Sequence, residues 1–192
     1  MDQPKQPMVE AANVMLADLF RSHHAQLLAY CARRIGRDEA EDAAAEVFAI
    51  ATRRQAEITS ETALAWLYGV ARGVVANRYR SHARQTRLLG RLGGLVPGER
   101  LRPVEEPDEV IVRKEDDRAI LEALTQLRSF DREVLMLAAW EGLSSPRIAQ
   151  VLGITGDAAE QRLRRAKRRL AQVLMTSASR VSSYHVTGGG TP

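Results

Sequence analysis

The stretch SSPRIAQVLGITGDAAEQRLRRAKRR, residues 144–169, decides how this chain is read. Ser144 or Ser145 can cap a short helix, and Pro146 stands in its first turn, where a missing N–H costs nothing. Ile148, Val151 and Leu152 recur at helical spacing and give that helix an apolar face. Ala149 is small where a second helix must cross closely, and four residues on Gly153 falls where the turn needs a left-handed residue. Thr155 suits the N-cap of a second helix whose inner face is Ala159, Leu163, Ala166 and Leu170. This spacing predicts a helix-turn-helix. The outer face carries Gln161, Arg164, Arg165 and Arg168, donors suited to base edges and phosphates. An ordinary helical hairpin with a solvated basic face is the competing reading.

Working outward, Leu121, Leu124 and Leu127, then Val134, Leu135, Leu137 and Trp140, supply the two further amphipathic helices that close a four-helix domain. Upstream, residues 8–89 contain no Pro and only Gly36, Gly69 and Gly73, which marks a second long helical block. Leu16, Leu19, Phe20, His23, Leu27 and Tyr30 make one apolar stripe that ends near Gly36, a suitable C-terminal cap. Ala43, Val47, Ile50 and Ala51 make a second, behind the acidic run DEAED (38–42) that suits a helix N-terminus. After a break at QAEITSET (55–62), Leu67, Val70, Ala71, Val74 and Val75 make a third. No strand alternation is present. The expected fold is therefore all-α, two small helical domains joined by a flexible linker.

The linker begins GRLGGLVPGERLRPVEEPDE (90–109), with five Gly or Pro in its first nine residues. The tail TSASRVSSYHVTGGGTP has no apolar periodicity and a composition that predicts disorder, as at the N-terminus. The domain boundaries expected are a disordered stretch at 1–14, helical domains at 15–89 and 118–174, a flexible acidic linker at 90–117 and a disordered tail at 175–192.

Charge is segregated along this order. Lys plus Arg is 28 against 24 Asp plus Glu, a net +4 that conceals a large cancellation. Residues 62–98 hold six arginines and no acid, residues 99–122 hold nine acids against five bases, and six of the eight positions 162–169 are Arg or Lys. Any one such run reads as a solvated helix face, but two basic runs on two separate domains weigh against that reading.

Residues 121–170, LEALTQLRSFDREVLMLAAWEGLSSPRIAQVLGITGDAAEQRLRRAKRRL, resemble region four of bacterial sigma factors, particularly the small extracytoplasmic-function (ECF) type of the sigma-70 family. The upstream block agrees independently: DEAEDAAAEVFAIATRR (38–54) resembles region two, and ALAWLYGVARGVVANRYRSHAR (63–84) resembles the family's W-L-Y-x-x-A-R helix. The resemblance implies an alternative sigma factor of the bacterial cytoplasm that binds core RNA polymerase, recognises the minus-35 and minus-10 promoter elements and helps open the DNA.

It also implies residue roles. On the acidic helix, Asp42, Glu46 and Arg53 or Arg54 would contact polymerase; Ala45 replaces a frequent Gln there, so that contact does not carry over. At the minus-10 element, Asn77 matches a position that reads DNA, Gly73 occupies another where Asn is common, and Arg72, Arg78, Arg80 and Arg84 would track phosphates. The loop 55–62 corresponds to the segment that cradles a flipped base, with Trp66 expected in the core. At the minus-35 element, Glu160, Gln161, Arg164 and Arg165 align with base-facing positions, and Arg147, Thr155, Arg162 and Arg168 are placed for phosphates. A basic residue is common where this chain has Glu160, and Glu would instead accept from a cytosine amino group. Glu105, Glu106, Asp108 and Glu109 of the linker would face the polymerase interior or serve as a solvating spacer. An inhibitory anti-sigma protein is a further expected partner.

Other classes are disfavoured. The single cysteine, Cys31, excludes an internal disulfide and fits a reducing compartment. His23, His24 and Cys31 are poorly spaced for a metal and lack a fourth ligand, so no metal or cofactor is expected. No Gly-rich phosphate loop or catalytic triad is present, so no enzyme activity is expected, and the longest apolar run, residues 63–71, is too short for membrane insertion. A polymerase-independent helix-turn-helix regulator with a helical sensor domain, or an adaptor bundle binding acidic proteins, remains as an alternative.

Overall fold

A computed structural model of the chain describes residues 6–91 and 114–186. Among these residues there are seven α-helices and no strands. The chain divides into two compact units, the first carrying α1 (Gln6–Ile35), α2 (Arg37–Arg53) and α3 (Ala63–Arg91), and the second carrying α4 (Lys114–Gln126), α5 (Ser129–Ala139), the start of α6 (Ser145–Leu152) and α7 (Gly156–Val186).

In the first unit each helix packs on the other two. Leu27, Tyr30, Cys31, Val47, Leu67 and Tyr68 are almost wholly buried, and the Tyr30 and Tyr68 rings meet with centroids 4.9 Å apart. Alanines at 40, 43, 44 and 51 line the buried side of α2 and allow close approach of its neighbours. Gly36 separates α1 from α2 with φ +83° and ψ 166°, a region that side-chain-bearing residues avoid, while its N–H still donates to Ala32 O at 3.0 Å. This one residue ends α1 and turns the chain straight into the acidic first turn of α2. Tyr79 Oη donates to Arg34 O, tying α3 to the end of α1.

In the second unit α4 and α5 both pack on α7. Leu124, Leu127, Leu135 and Ala166 form its core with Leu163, Leu170 and Val173 against them. Arg132 on α5 donates to the carbonyls of Leu124 (2.8 Å), Thr125 (2.8 Å) and Leu127 (3.3 Å), so a cation closes the C-terminal end of α4. Asp131, nearly buried, is ion-paired with Arg169 of α7.

Two boundaries differ from expectation. The helical structure begins at Gln6 rather than at 15, and α7 continues to Val186 rather than stopping near 174. Nothing in 157–186 breaks a helix: the segment has neither Gly nor Pro, and Ser and Thr cost only about 0.5 kcal/mol each relative to Ala. Once a helix is nucleated, each further turn is easily added. Residues 92–113 of the expected linker, with Glu105, Glu106, Asp108 and Glu109, lie outside the described residues, as do 1–5 and 187–192. None of the described helices is long and apolar enough to cross a membrane.

Candidate nucleic-acid interface

The turn between α6 and α7 is built as the spacing predicts. Gly153 takes φ +64°, and Ile154 N–H reaches back to Ala149 O at 3.0 Å. Thr155 Oγ1 accepts from Ala158 N–H at 3.3 Å and its carbonyl accepts from Ala159 N–H at 3.0 Å, so it caps α7. Ile148 and Ala149 are buried, and Ala159 and Ala166 are fully so.

With the alanine face inward, α7 presents Glu160, Gln161, Arg164, Arg165 and Arg168 along one exposed stripe. Glu160 and Arg164, one turn apart, are paired at 2.7 Å. Two cations of the same helix are engaged elsewhere. Arg162 is half-buried with its guanidinium over the Phe130 ring at 4.3 Å, and Arg169 is held by Asp131. Both lie on the flank that faces α5, so the expected phosphate role of Arg162 competes with packing on Phe130. Arg147 in α6 is half-buried and Thr155 exposed.

In the first unit α3 carries the other basic stripe. Arg72, Gly73, Asn77, Arg80 and Arg84 are all exposed and, at 3.6 residues per turn, fall on one side of the helix. Arg87 belongs to the same stripe, seven residues after Arg80, and its phase could have been read from the sequence. A side chain built at Gly73 would meet nothing within 4 Å, so the position is open.

Arg78 does not share this stripe. It lies roughly 160° around the helix from the stripe's centre, half-buried, with Nη1 3.3 Å from Glu39 Oε2 and Nη2 3.6 Å from Glu46 Oε2. Its guanidinium bridges α3 to two acids of α2, and His82 Nε2 adds a contact to Glu39 Oε1 at 3.2 Å. The guanidinium expected to contact phosphate is thus engaged with α2, off the exposed stripe. The same ion pairs orient Glu46, which otherwise shares an exposed face of α2 with Asp42 and Arg53.

Arg54 is also drawn away from that face. It follows the end of α2, and its Nε and Nη2 donate to the two oxygens of Glu57 at 2.7 and 2.6 Å. The hydrogen bond from Arg54 holds the Glu57 carboxyl below the usual carboxylate range, against the opposing effect of desolvation, and Trp66 adds a further donor. The Arg54 guanidinium lies 5.6 Å from the Trp66 ring, which is half-buried at the surface rather than enclosed in the core. Ile58 is buried, Thr59 and Thr62 share a 2.7 Å hydrogen bond between hydroxyls, and the loop 55–62 is thereby pinned with Thr59, Ser60 and Glu61 exposed at its tip. Elsewhere His24 stacks among Phe20 and Phe48, and His23 Nδ1 meets Gln26 Oε1 at 3.2 Å.

Comparison with known proteins places these features. The family profile described as Sigma-70 region 2 matches residues 19–85, and that described as Sigma-70, region 4 matches residues 117–170. The chain is 32% identical over 167 residues to the ECF RNA polymerase sigma factor SigL of Mycobacterium tuberculosis, covering 85% of this chain and 91% of SigL. It is 34% identical over 128 residues to the probable RNA polymerase sigma factor RfaY of Xanthomonas campestris pv. campestris, but that match spans 66% of this chain and only 32% of the relative's length. The fold is like that of the sigma factor RpoE from Bartonella quintana, solved in complex with the anti-sigma factor NepR, with a TM-score of 0.55, 20% identity and coverage of 88% of this chain and 98% of that one.

Proposed function

Because the chain belongs to the sigma-70 family, in its ECF group, we propose that it binds core RNA polymerase, recognises minus-35 and minus-10 promoter elements and promotes DNA opening in the bacterial cytoplasm. The observation that carries this reading is the capped α7 stripe, with Gln161, Arg164, Arg165 and Arg168 exposed behind a left-handed Gly153 turn. A helix presented in this way fits the major groove, where arginine reads guanine and other cations hold phosphates. Glu160, Gln161, Arg164 and Arg165 read the minus-35 bases; Arg147, Thr155 and Arg168 hold its backbone.

On α3, Arg72, Arg80, Arg84 and Arg87 track the phosphates of the minus-10 element, and Asn77, with the open position at Gly73, faces its bases. Opening DNA without fuel requires that the single-stranded form be bound better than the duplex, and the pinned loop tip Thr59–Glu61 is a ready surface for an extruded base. Asp42, Glu46 and Arg53 form the polymerase-facing edge of α2, where complementary charge sets on-rate and register. An anti-sigma protein would act by covering these surfaces. The test is transcription of genomic DNA by core polymerase with and without the chain, followed by sequencing of transcript 5′ ends. New starts sharing two spaced elements are expected; an unchanged set of starts, with no binding to core, overturns the proposal.

A further inference from the structure

An acid on a DNA-facing stripe is repelled by phosphates unless it has a specific task, and α7 carries Glu160 in its second turn. Its Oε1 accepts from Arg164 Nη2 at 2.7 Å, and both side chains are exposed. The pair leaves Glu160 Oε2 as a free acceptor and, on Arg164, Nη1 and the second hydrogen of Nη2 as free donors along one guanidinium edge, among the described residues. Side by side, the two heads therefore offer a row of donors next to an acceptor, with the order fixed by the direction of the helix.

A G·C base pair presents the complementary row in the major groove: the N7 and O6 acceptors of guanine, then the N4 amino donor of cytosine. An A·T pair presents acceptor, donor, acceptor, and a reversed C·G pair presents the row backwards. Resting on the reading of α7 as a recognition helix, we infer that Glu160 and Arg164 act as one unit that reads a single G·C base pair of the upstream element, Arg164 on the guanine and Glu160 on its paired cytosine. Glu160 is then a specificity-determining residue. The carboxylate holds the guanidinium in place before binding, so less side-chain freedom is lost on the DNA, and it rejects pairs that lack an amino group at that point.

The test uses the full chain with core polymerase and a promoter library randomised over the upstream element, with bound promoters sequenced. The unsubstituted chain should prefer G·C over A·T at one base pair by roughly tenfold, the scale of one bidentate base contact. Glu160→Ala and Arg164→Ala should each remove most of that preference at the same base pair, and the double variant should lose little more than either single one. On a fixed promoter, replacing that cytosine by 2-pyrimidinone, which lacks the amino group, should weaken the unsubstituted chain severalfold and leave Glu160→Ala unaffected. Losses at two different base pairs, additive losses, or an equal loss on all sequences overturn the inference while leaving the proposed function standing. Absence of any sequence preference with the unsubstituted chain overturns both.

Discussion

Replacing Arg78 by Ala separates a structural arginine from a DNA-binding one. The Arg78 side chain is 23% exposed and its guanidinium spans Glu39 at 3.3 Å and Glu46 at 3.6 Å. Each pair is worth about 0.5–1 kcal/mol at this level of shielding, and loss of the aliphatic stem from the α2–α3 contact adds to it, so the expected destabilisation is about 1–2 kcal/mol. For a domain of this size each kcal/mol lowers Tm by about 4–8 °C. The chain has two tryptophans, Trp66 and Trp140, so in a Trp140→Phe background the fluorescence of Trp66 reports the first unit alone. Arg80→Ala is the control: exposed and on the stripe, it should leave Tm nearly unchanged but lower the slope of log affinity against log salt by about 0.7–0.9, one phosphate contact. The reasoning is refuted if Arg78→Ala melts with the parent and takes the salt slope down by that amount.

Three further outcomes are expected. Gly36→Ala meets no steric obstacle, yet φ +83° strains any side-chain-bearing residue, so urea unfolding should show a loss of about 1–3 kcal/mol. Thr155→Ala removes the acceptor at the start of α7 and should cost about 1 kcal/mol, with increased amide exchange at Ala158. The depressed Glu57 carboxyl contributes stability that is complete above its unfolded pKa and is lost as pH falls through the lower folded value; in Arg54→Ala its NMR titration midpoint should rise toward the ordinary value, near 4.3, and an unmoved midpoint would contradict the pairing.

Apolar spacing and two glycines carried most of the fold. Leu27, Val47 and Leu67 are spaced as buried faces require, and Gly36 and Gly153 stand where only a glycine turns the chain without strain. The candidate site was less legible because cations of one type do different work according to phase. Arg78 belongs to a run of arginines that reads as one basic surface, but its helical angle places it among Val74 and Val75, over the acids of α2. Arg162 likewise sits on the α5 flank, and Phe130, thirty-two positions away, is invisible to local spacing. Arg54 follows directly on α2 in the sequence, whereas its partner Glu57 lies beyond the helix end, in the turn before the buried Ile58. The far end of α7 is hidden for a different reason: a composition rich in Ser and Thr signals weak packing, not an obligatory stop.

The central claim, that this chain lets polymerase open DNA at chosen sites, is tested most directly by permanganate reactivity of thymines on a promoter identified by transcript sequencing. Core polymerase plus the chain should make thymines at and downstream of the minus-10 element reactive, while core alone and the chain alone leave them protected. Tight binding of duplex by the chain alone, with no reactive thymines when core polymerase is added, would contradict the account.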